Sequence, residues 1–196
     1  MAVNDIKRAI FLDRDGVLNP DEYGYLDNPE KYHLYPWTGE ALRILKELGF
    51  LLFVVTNQSG IARGYFSVAQ LEKVLEQMRT LIRAEGVELD GVFYSPYFKT
   101  GVVEPYNIDH EDRKPGIGMY KKAKAAFHFD PNRSWMIGDR ETDLQFGRNA
   151  GLKTILLLSG NGRDDFLKSL SSDPLRPDYI CENLLTAARL FQRFCL

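Results

Sequence analysis

The chain has 196 residues, 44% of them hydrophobic, and this length suits one compact domain with a full core. Its formal net charge is −2 and charges of both signs are interspersed, so we expect no nucleic acid and no membrane as partner. The two cysteines, Cys181 and Cys195, form no CxxC pair, and the first apolar run is too short and too charged to span a membrane. These features favour a cytoplasmic protein, which we expect to be a monomer.

The predicted elements alternate between short apolar runs and helical patterns. Apolar runs predict strands at residues 9–12, 50–55, 91–94, 135–137, 154–158 and 178–180. Apolar residues at helical spacing predict helices at residues 39–48, 68–84, 117–127, 141–149 and 184–194. This alternation predicts an α/β fold, with a doubly wound, Rossmann-like parallel sheet that is covered by helices on both faces.

Two stretches, residues 19–37 and 95–114, lack a regular pattern and are long for loops in a compact domain. Parallel sheets bind their ligands outside the carboxyl ends of the strands, where such loops gather. We therefore expect residues 1–196 to form a single domain in which these two segments flank the site as a minimal cap made of loops.

Asp13 and Asp15 follow the first predicted strand, and Gly16 lets the chain turn sharply after them. Two carboxylates are costly to place beside a core. One of them can attack a phosphate ester as the nucleophile, while the second donates and later accepts a proton. An ordinary surface turn is an equally good interpretation of these residues taken alone.

Asp139 and Asp143 form a second acidic cluster, just after the predicted strand 135–137. Carboxylate oxygens are ligands that Mg²⁺ prefers, so Asp139 is a candidate metal ligand. The alternative is an acidic helix start, where negative side chains interact favourably with the helix dipole.

Polar residues also follow the second predicted strand and precede a later helix. Lys114 could bring a positive charge to a phosphate, and Pro115 suits the first turn of the following helix. The stretch after the strand can donate hydrogen bonds to phosphate oxygens, although a plain polar loop has the same composition. Its polar residues are Thr56, Asn57, Gln58 and Ser59.

All four clusters are predicted at one edge of the sheet, and their order along the chain resembles that of a known superfamily. The segments FLDRDGVLN (11–19), TNQSG (56–60), RKPG (113–116) and GDRETD (138–143) resemble the four motifs of the haloacid dehalogenase (HAD) superfamily. The longer segment TNQSGIARG (56–64) is similar to the heptose bisphosphate phosphatases and the related histidinol-phosphate phosphatases.

The resemblance implies a magnesium-dependent catalytic centre. In it, Asp13 is the nucleophile and a metal ligand, and Asp15 is the general acid and base that also offers its backbone carbonyl to Mg²⁺. Asp139 is the other protein ligand of the metal, with Asp143 and Gly16 in support.

The resemblance also implies a pocket for the phosphate ester. Thr56 and Lys114 hold the transferred phosphoryl group. Six further residues shape the pocket or contact the rest of the substrate, and these are Asn57, Gln58, Ser59, Arg63, Arg113 and Arg140.

Members of this family often carry a zinc-binding loop, with a Cys-x-His pair and a later Cys-x-Cys pair before the Arg-Lys-Pro segment. A single His and Asp at one-residue separation make a poor tetrahedral zinc site, so we expect no structural zinc here. The corresponding positions of this chain are Ser95, Tyr97, His110 and Asp112.

These patterns together predict a Mg²⁺-dependent phosphatase that acts on a small-molecule phosphate ester through an aspartyl-phosphate on Asp13. The resemblance favours the 7-phosphate of D-glycero-D-manno-heptose 1,7-bisphosphate, since Arg113 beside Lys114 suits a second phosphate. The segment GDRETD with Gln145 after it favours histidinol phosphate instead. A non-catalytic protein that binds a phospho-ligand is a third hypothesis, against which the intact Asp13 and Asp15 argue.

Overall fold

The computed structural model describes residues 6–22, 24–164 and 176–194 of the chain. Its sheet has six strands, and every neighbouring pair runs parallel. The strands are β1 (Arg8–Leu12), β2 (Phe50–Asn57), β3 (Gly91–Ser95), β4 (Trp135–Gly138), β5 (Lys153–Leu157) and β6 (Tyr179–Cys181). Their order across the sheet is β3-β2-β1-β4-β5-β6, so the direction of winding reverses at β1.

In the described part of the chain, five α-helices with well-defined bounds cover the two faces of this sheet. They are α1 (Thr38–Glu47), α2 (Val68–Ala84), α3 (Gly118–Ala126), α4 (Glu141–Asn149) and α5 (Leu184–Phe194). Buried residues of α1, α2 and α5 belong to one apolar cluster, and those of α3 and α4 belong to a second. The doubly wound α/β fold predicted from the sequence is therefore confirmed.

The central strands β1 and β2 contribute side chains to both apolar clusters because side chains alternate between the faces of a strand. In β1, Ile10 and Leu12 face the first cluster, whereas Ala9 and Phe11 face the second. All four are fully buried. Burial on both faces explains why these strands appear in the sequence as continuous apolar runs.

The observed bounds follow the predicted ones closely, with one informative difference. Ser67 caps α2 through its side chain, and Gly49 takes a positive φ of 83° directly after Leu48, the C-cap residue of α1. Pro115 does not lie in the first turn of a helix, because α3 begins only at Gly118. The connecting backbone instead folds back on itself, with the N–H of Gly118 donating to the carbonyl of Glu111 at 2.7 Å.

No helix in the described ranges 6–22, 24–164 and 176–194 is long and apolar enough to cross a bilayer. Cys181 is a buried free thiol, and its burial raises its pKa to about 11. Cys195 lies outside the described residues.

Candidate active site

Three carboxylates meet at the carboxyl edge of the sheet. Asp13 follows β1, Asp139 follows β4, and Asp143 lies in the first turn of α4. All three are buried, and each offers a carboxylate oxygen within 4.8 Å of the others. They converge because β1 and β4 are neighbours in the sheet, at the point where its winding reverses.

The turn at Gly16 makes room for one of these carboxylates. Gly16 has a φ of 81°, in the left-handed region that side chains disfavour. A Cβ at this position would overlap the carboxylate of Asp139. Glycine therefore serves both the backbone conformation and the close approach of Asp139.

Lys114 reaches this cluster from the segment that precedes α3. Its ammonium nitrogen lies 3.0 Å from Oδ1 of Asp13 and 2.6 Å from Oδ1 of Asp143, and it donates to the carbonyl of Val55 at 2.8 Å. The residue is only 2% exposed. Burial lowers the pKa of Lys114, but the charges of Asp13 and Asp143 outweigh that effect and raise it. The side chain is therefore a fixed positive charge inside the site.

The carboxylates carry more negative charge than one lysine can balance. Burial raises the pKa of Asp13 to about 7, although Lys114 opposes the shift. Burial, followed by the charges of Asp143 and Asp13, raises the pKa of Asp139 to about 8. Such shifts mean that burial, together with the neighbouring carboxylates, disfavours the ionised forms of Asp13 and Asp139.

The same residues fit a divalent cation. Oδ1 of Asp139 is buried and has no hydrogen-bond partner among the described residues, while Oδ2 accepts from the backbone N–H of Asn161 at 2.8 Å. An all-oxygen donor set with an unpaired buried carboxylate oxygen is typical of a magnesium site. Asp13, Asp139 and Asp143 are thus the side chains that could hold such an ion.

Asp15 lies beside this cluster but has partners of its own. Arg14 donates to both of its oxygens, from Nε at 3.0 Å and from Nη2 at 2.8 Å. Asn19 and Gln58 each donate one further hydrogen bond at 3.0 Å. Burial raises the pKa of Asp15, but Arg14 and the hydrogen bonds outweigh burial and lower it. The carboxylate is therefore held ionised next to Asp13.

Some of the polar residues at the end of β2 line the cavity, and some form hydrogen bonds that hold other site residues in place. Oδ1 of Asn57 accepts from the backbone N–H of Lys114 at 2.9 Å, and its Nδ2 donates to the carbonyl of the same residue at 3.1 Å. Gln58 is buried, and its amide donates to Asp15 and to Oγ1 of Thr56. Asn57 and Gln58 therefore bind neighbouring residues, and the contact of Gln58 with the substrate stays a prediction.

A cavity of about 590 Å³ opens above the carboxylates. Its wall carries both acidic and basic groups, and Arg140 on this wall donates to Oδ2 of Asp21 at 2.7 Å. Most of the predicted site residues reach the cavity: Asp13, Asp15, Thr56, Asn57, Ser59, Arg63, Arg113, Lys114 and Arg140.

Known proteins resemble this chain in sequence over nearly its whole length. The profile of the HAD-hydrolase-like family matches residues 112–187. A relative from Pasteurella multocida (strain Pm70), named D-glycero-beta-D-manno-heptose-1,7-bisphosphate 7-phosphatase, is 39% identical over 189 residues. That alignment covers 95% of this chain and 98% of the relative. The chain belongs to the HAD-like phosphatases.

Two further comparisons agree with this membership. A relative from Escherichia coli (strain K12), with the same name, is 40% identical over 176 residues, covering 85% of this chain and 91% of the relative. The crystal structure of the D,D-heptose 1,7-bisphosphate phosphatase from B. bronchiseptica, complexed with magnesium and phosphate, superposes with a TM-score of 0.81. It is 29% identical and covers 95% of this chain and 98% of that one.

Three of the four positions that the sequence comparison aligned with zinc-binding residues, Tyr97, His110 and Asp112, contact other protein groups in this HAD-like phosphatase. The ring of Tyr97 stacks on His110, with centroids 3.9 Å apart and an interplanar angle of 17°. Nδ1 of His110 accepts from the backbone N–H of Asp112, and the Asp112 carboxylate pairs with Lys122 at 2.6 Å. Ser95 is fully buried at the end of β3. The absence of a structural zinc ion stays a prediction.

Sequence reasoning missed two residues that support the phosphatase site, Asn161 and Arg14. Asn161, in the loop after β5, binds Asp139 through its backbone N–H and donates to Oδ2 of Asp21 at 3.1 Å. Arg14 is 1% exposed and holds Asp15. A signal was present for Asn161, because its loop follows a strand at the same edge of the sheet.

Proposed function

We propose that this chain is a magnesium-dependent phosphatase that removes the 7-phosphate of D-glycero-D-manno-heptose 1,7-bisphosphate. The relatives that share about two fifths of its residues carry the name of that activity. The observation that carries the proposal is the composition of the cavity. The carboxylate cluster and Lys114 lie at one part of it, and two arginines, Arg63 and Arg113, line its wall as well. A substrate with two phosphates suits both groups of residues.

In the first step, a carboxylate oxygen of Asp13 attacks the 7-phosphorus, and the bond from phosphorus to the sugar oxygen breaks. The product is an aspartyl-phosphate, while the leaving oxygen takes a proton from Asp15. Lys114 lies 3.0 Å from the attacking carboxylate, so its charge can offset negative charge on the transferred oxygens. Thr56 and Ser59 line the same wall and can donate hydrogen bonds to those oxygens.

In the second step, water attacks the phosphorus of the aspartyl-phosphate and gives its proton to Asp15. The bond between phosphorus and the Asp13 oxygen breaks, which releases inorganic phosphate and restores Asp13. The hydrogen bonds from Arg14, Asn19 and Gln58 keep Asp15 ionised and ready for this role as base. Its earlier role as acid requires a protonated Asp15. An anionic phosphate that enters the cavity raises the pKa of Asp15 and so favours the protonated form.

Asp13 and Asp139 are the proposed side-chain ligands of Mg²⁺, with the backbone carbonyl of Asp15 as a third protein ligand and Asp143 in support. The ion supplies positive charge for the phosphoryl oxygens during transfer. The unpaired Oδ1 of Asp139 and the raised pKa values of Asp13 and Asp139 support this assignment.

Three broader expectations belong to the same proposal. Residues 1–196 form one domain, and residues of both loops line its cavity, including Asp21 and Tyr25 from residues 19–37 and Arg113 from residues 95–114. The enzyme works as a monomer in the cytoplasm, where a buried free thiol such as that of Cys181 stays reduced. Sedimentation analysis and cell fractionation test these two points.

The test is phosphate release with Mg²⁺ over a panel that holds both anomers of the heptose bisphosphate, other sugar phosphates and histidinol phosphate. Asp13→Asn is the blank. Strong preference for the bisphosphate, lost in the blank, is the expected result. Preference for histidinol phosphate would keep the chemistry and overturn the substrate. Release from no compound would leave a phospho-ligand binding protein as the better hypothesis.

A further inference from the structure

The ring of Phe98 lies against two arginines of the cavity wall. Cζ of Arg63 is 3.9 Å from the ring centroid, and Cζ of Arg113 is 4.9 Å from it. The two arginines come from different segments, one after β2 and one before α3, and both line the cavity. The shared ring therefore brings together two cations that the chain order keeps apart.

The paired guanidinium groups retain capacity to bind an anion. Nε of Arg63 is buried without a hydrogen-bond partner in the described part of the chain. Arg113 donates to the carbonyl of Tyr97 across a long distance of 3.4 Å. Burial lowers the pKa of Arg113, and the charge of Arg63 lowers it further. Because like charges repel, the pair is stabilised when an anion binds between or beside them.

Backbone hydrogen bonds attach the turn that carries Phe98 to the segment that carries Arg63. The carbonyl of Phe98 accepts from the N–H of Gly101 at 2.8 Å. The N–H of Val102 then donates to the carbonyl of Ala62 at 2.7 Å. Ala62 directly precedes Arg63, so these bonds hold the turn that carries Phe98 beside the segment that carries this arginine.

A second attachment fixes the ring relative to Arg113. Tyr97, next to Phe98 in the chain, stacks on His110 with centroids 3.9 Å apart. The N–H of Arg113 donates to the carbonyl of His110 at 3.0 Å. This attachment therefore combines an aromatic stack with a backbone hydrogen bond.

We propose that Phe98 is a positioning residue that determines the preference for a substrate with a second phosphate. Its ring attracts both guanidinium groups, which offsets part of their mutual repulsion and holds them at a fixed spacing. A phosphate dianion can then bind both groups by charge-assisted hydrogen bonds without first bringing them together. The inference rests on the proposed function, because it assigns the arginine pair to the phosphate that is not hydrolysed.

The test compares kcat and KM for heptose 1,7-bisphosphate and for the heptose 7-monophosphate. Phe98→Leu keeps apolar volume but removes the π face, and we expect it to raise KM for the bisphosphate about tenfold with little change in kcat. The same substitution should leave both constants for the monophosphate unchanged. Phe98→Tyr keeps the ring face and should behave as the wild type. Val102→Ala, at an exposed position of the same loop, is the matched control.

Each outcome decides the inference. If Phe98→Leu keeps the preference for the bisphosphate, or raises KM for both substrates alike, Phe98 has no positioning role. The proposed function would still stand. Equal use of both esters by the wild type would also overturn the inference, since no second phosphate would then be recognised. Failure of the wild type on both esters would overturn the proposed function and the inference together.

Discussion

Asn57 holds both backbone polar groups of Lys114, accepting from its N–H at 2.9 Å and donating to its carbonyl at 3.1 Å. The residue that ends β2 thereby places a lysine from a separate segment beside Asp13. Asn57→Ala removes both bonds, and a misplaced catalytic group typically lowers kcat by about 100-fold. We expect a loss of that size in steady-state kinetics, with the fold retained by circular dichroism.

Asn149→Ala is the control for this variant, because Asn149 also donates to the carbonyl of a residue in that segment, Pro115, at 3.0 Å. Asn149 is exposed and lies at the end of α4, so its loss should change kcat less than about twofold. Equal losses in the two variants would contradict the positioning role of Asn57.

Gly16→Ala should disable the site through Asp139. The substitution places a Cβ against the buried carboxylate of Asp139 and requires a side chain at a φ of 81°. Backbone strain alone costs about 1 kcal/mol, but displacing a metal ligand should also weaken Mg²⁺ binding by about 10-fold or more. Titration calorimetry with Mg²⁺ measures this effect without any substrate.

Gly49→Ala is the control that separates the effect of backbone strain from the effect of displacing the Asp139 carboxylate. Gly49 has nearly the same φ, 83°, and a Cβ there meets nothing within 4 Å. The Gly49→Ala variant should lose about as much stability to denaturant as Gly16→Ala does from backbone strain, and it should keep full affinity for Mg²⁺. If Gly16→Ala also binds Mg²⁺ normally, the close approach of Asp139 has no functional meaning.

Asp13→Asn should remove activity and stabilise the metal-free protein. Loss of a nucleophile typically lowers kcat by about 10⁴-fold or more. The same change removes one negative charge from a buried cluster in which Asp139 and Asp143 remain. In EDTA near neutral pH we therefore expect a higher Tm than the wild type has. An inactive variant with a lower Tm would contradict the view that the cluster repels itself without a cation.

The stability of the metal-free protein should fall as pH rises. The pKa values of Asp13 and Asp139 are raised to about 7 and about 8, so the folded state holds protons that the unfolded state has already released. Folding stability therefore decreases with rising pH between the unfolded and the folded pKa values. Scans of Tm in EDTA from about pH 5 to about pH 8.5 should show this decrease.

Mg²⁺ should oppose that decrease, since it binds the ionised carboxylates. The rise in Tm that Mg²⁺ produces is thus expected to grow with pH over the same range. The Asp139→Asn variant, which lacks one of the titrating groups, should show a weaker pH dependence in EDTA. A Mg²⁺ effect of constant size would argue against Asp13 and Asp139 as ligands.

Much of the fold was predictable because secondary structure depends on local patterns. The apolar run of β1 and the helical spacing of α2 both placed their elements within about two residues. Pro115 shows the limit of such reasoning. A proline suits the first turn of a helix, but here the backbone from Glu111 to Gly118 closes into its own turn before α3 begins.

The sequence by itself determined the alternation of strands and helices, and it placed Asp13, Asp139 and the residues after β2 at one edge of the sheet. These follow from hydrophobic periodicity and from the direction of parallel strands. Only the tertiary structure decided that Gln58 supports Asp15, and that Phe98 joins two arginines. Such contacts link residues that are distant in the chain, and their geometry depends on how loops pack, which no local pattern encodes.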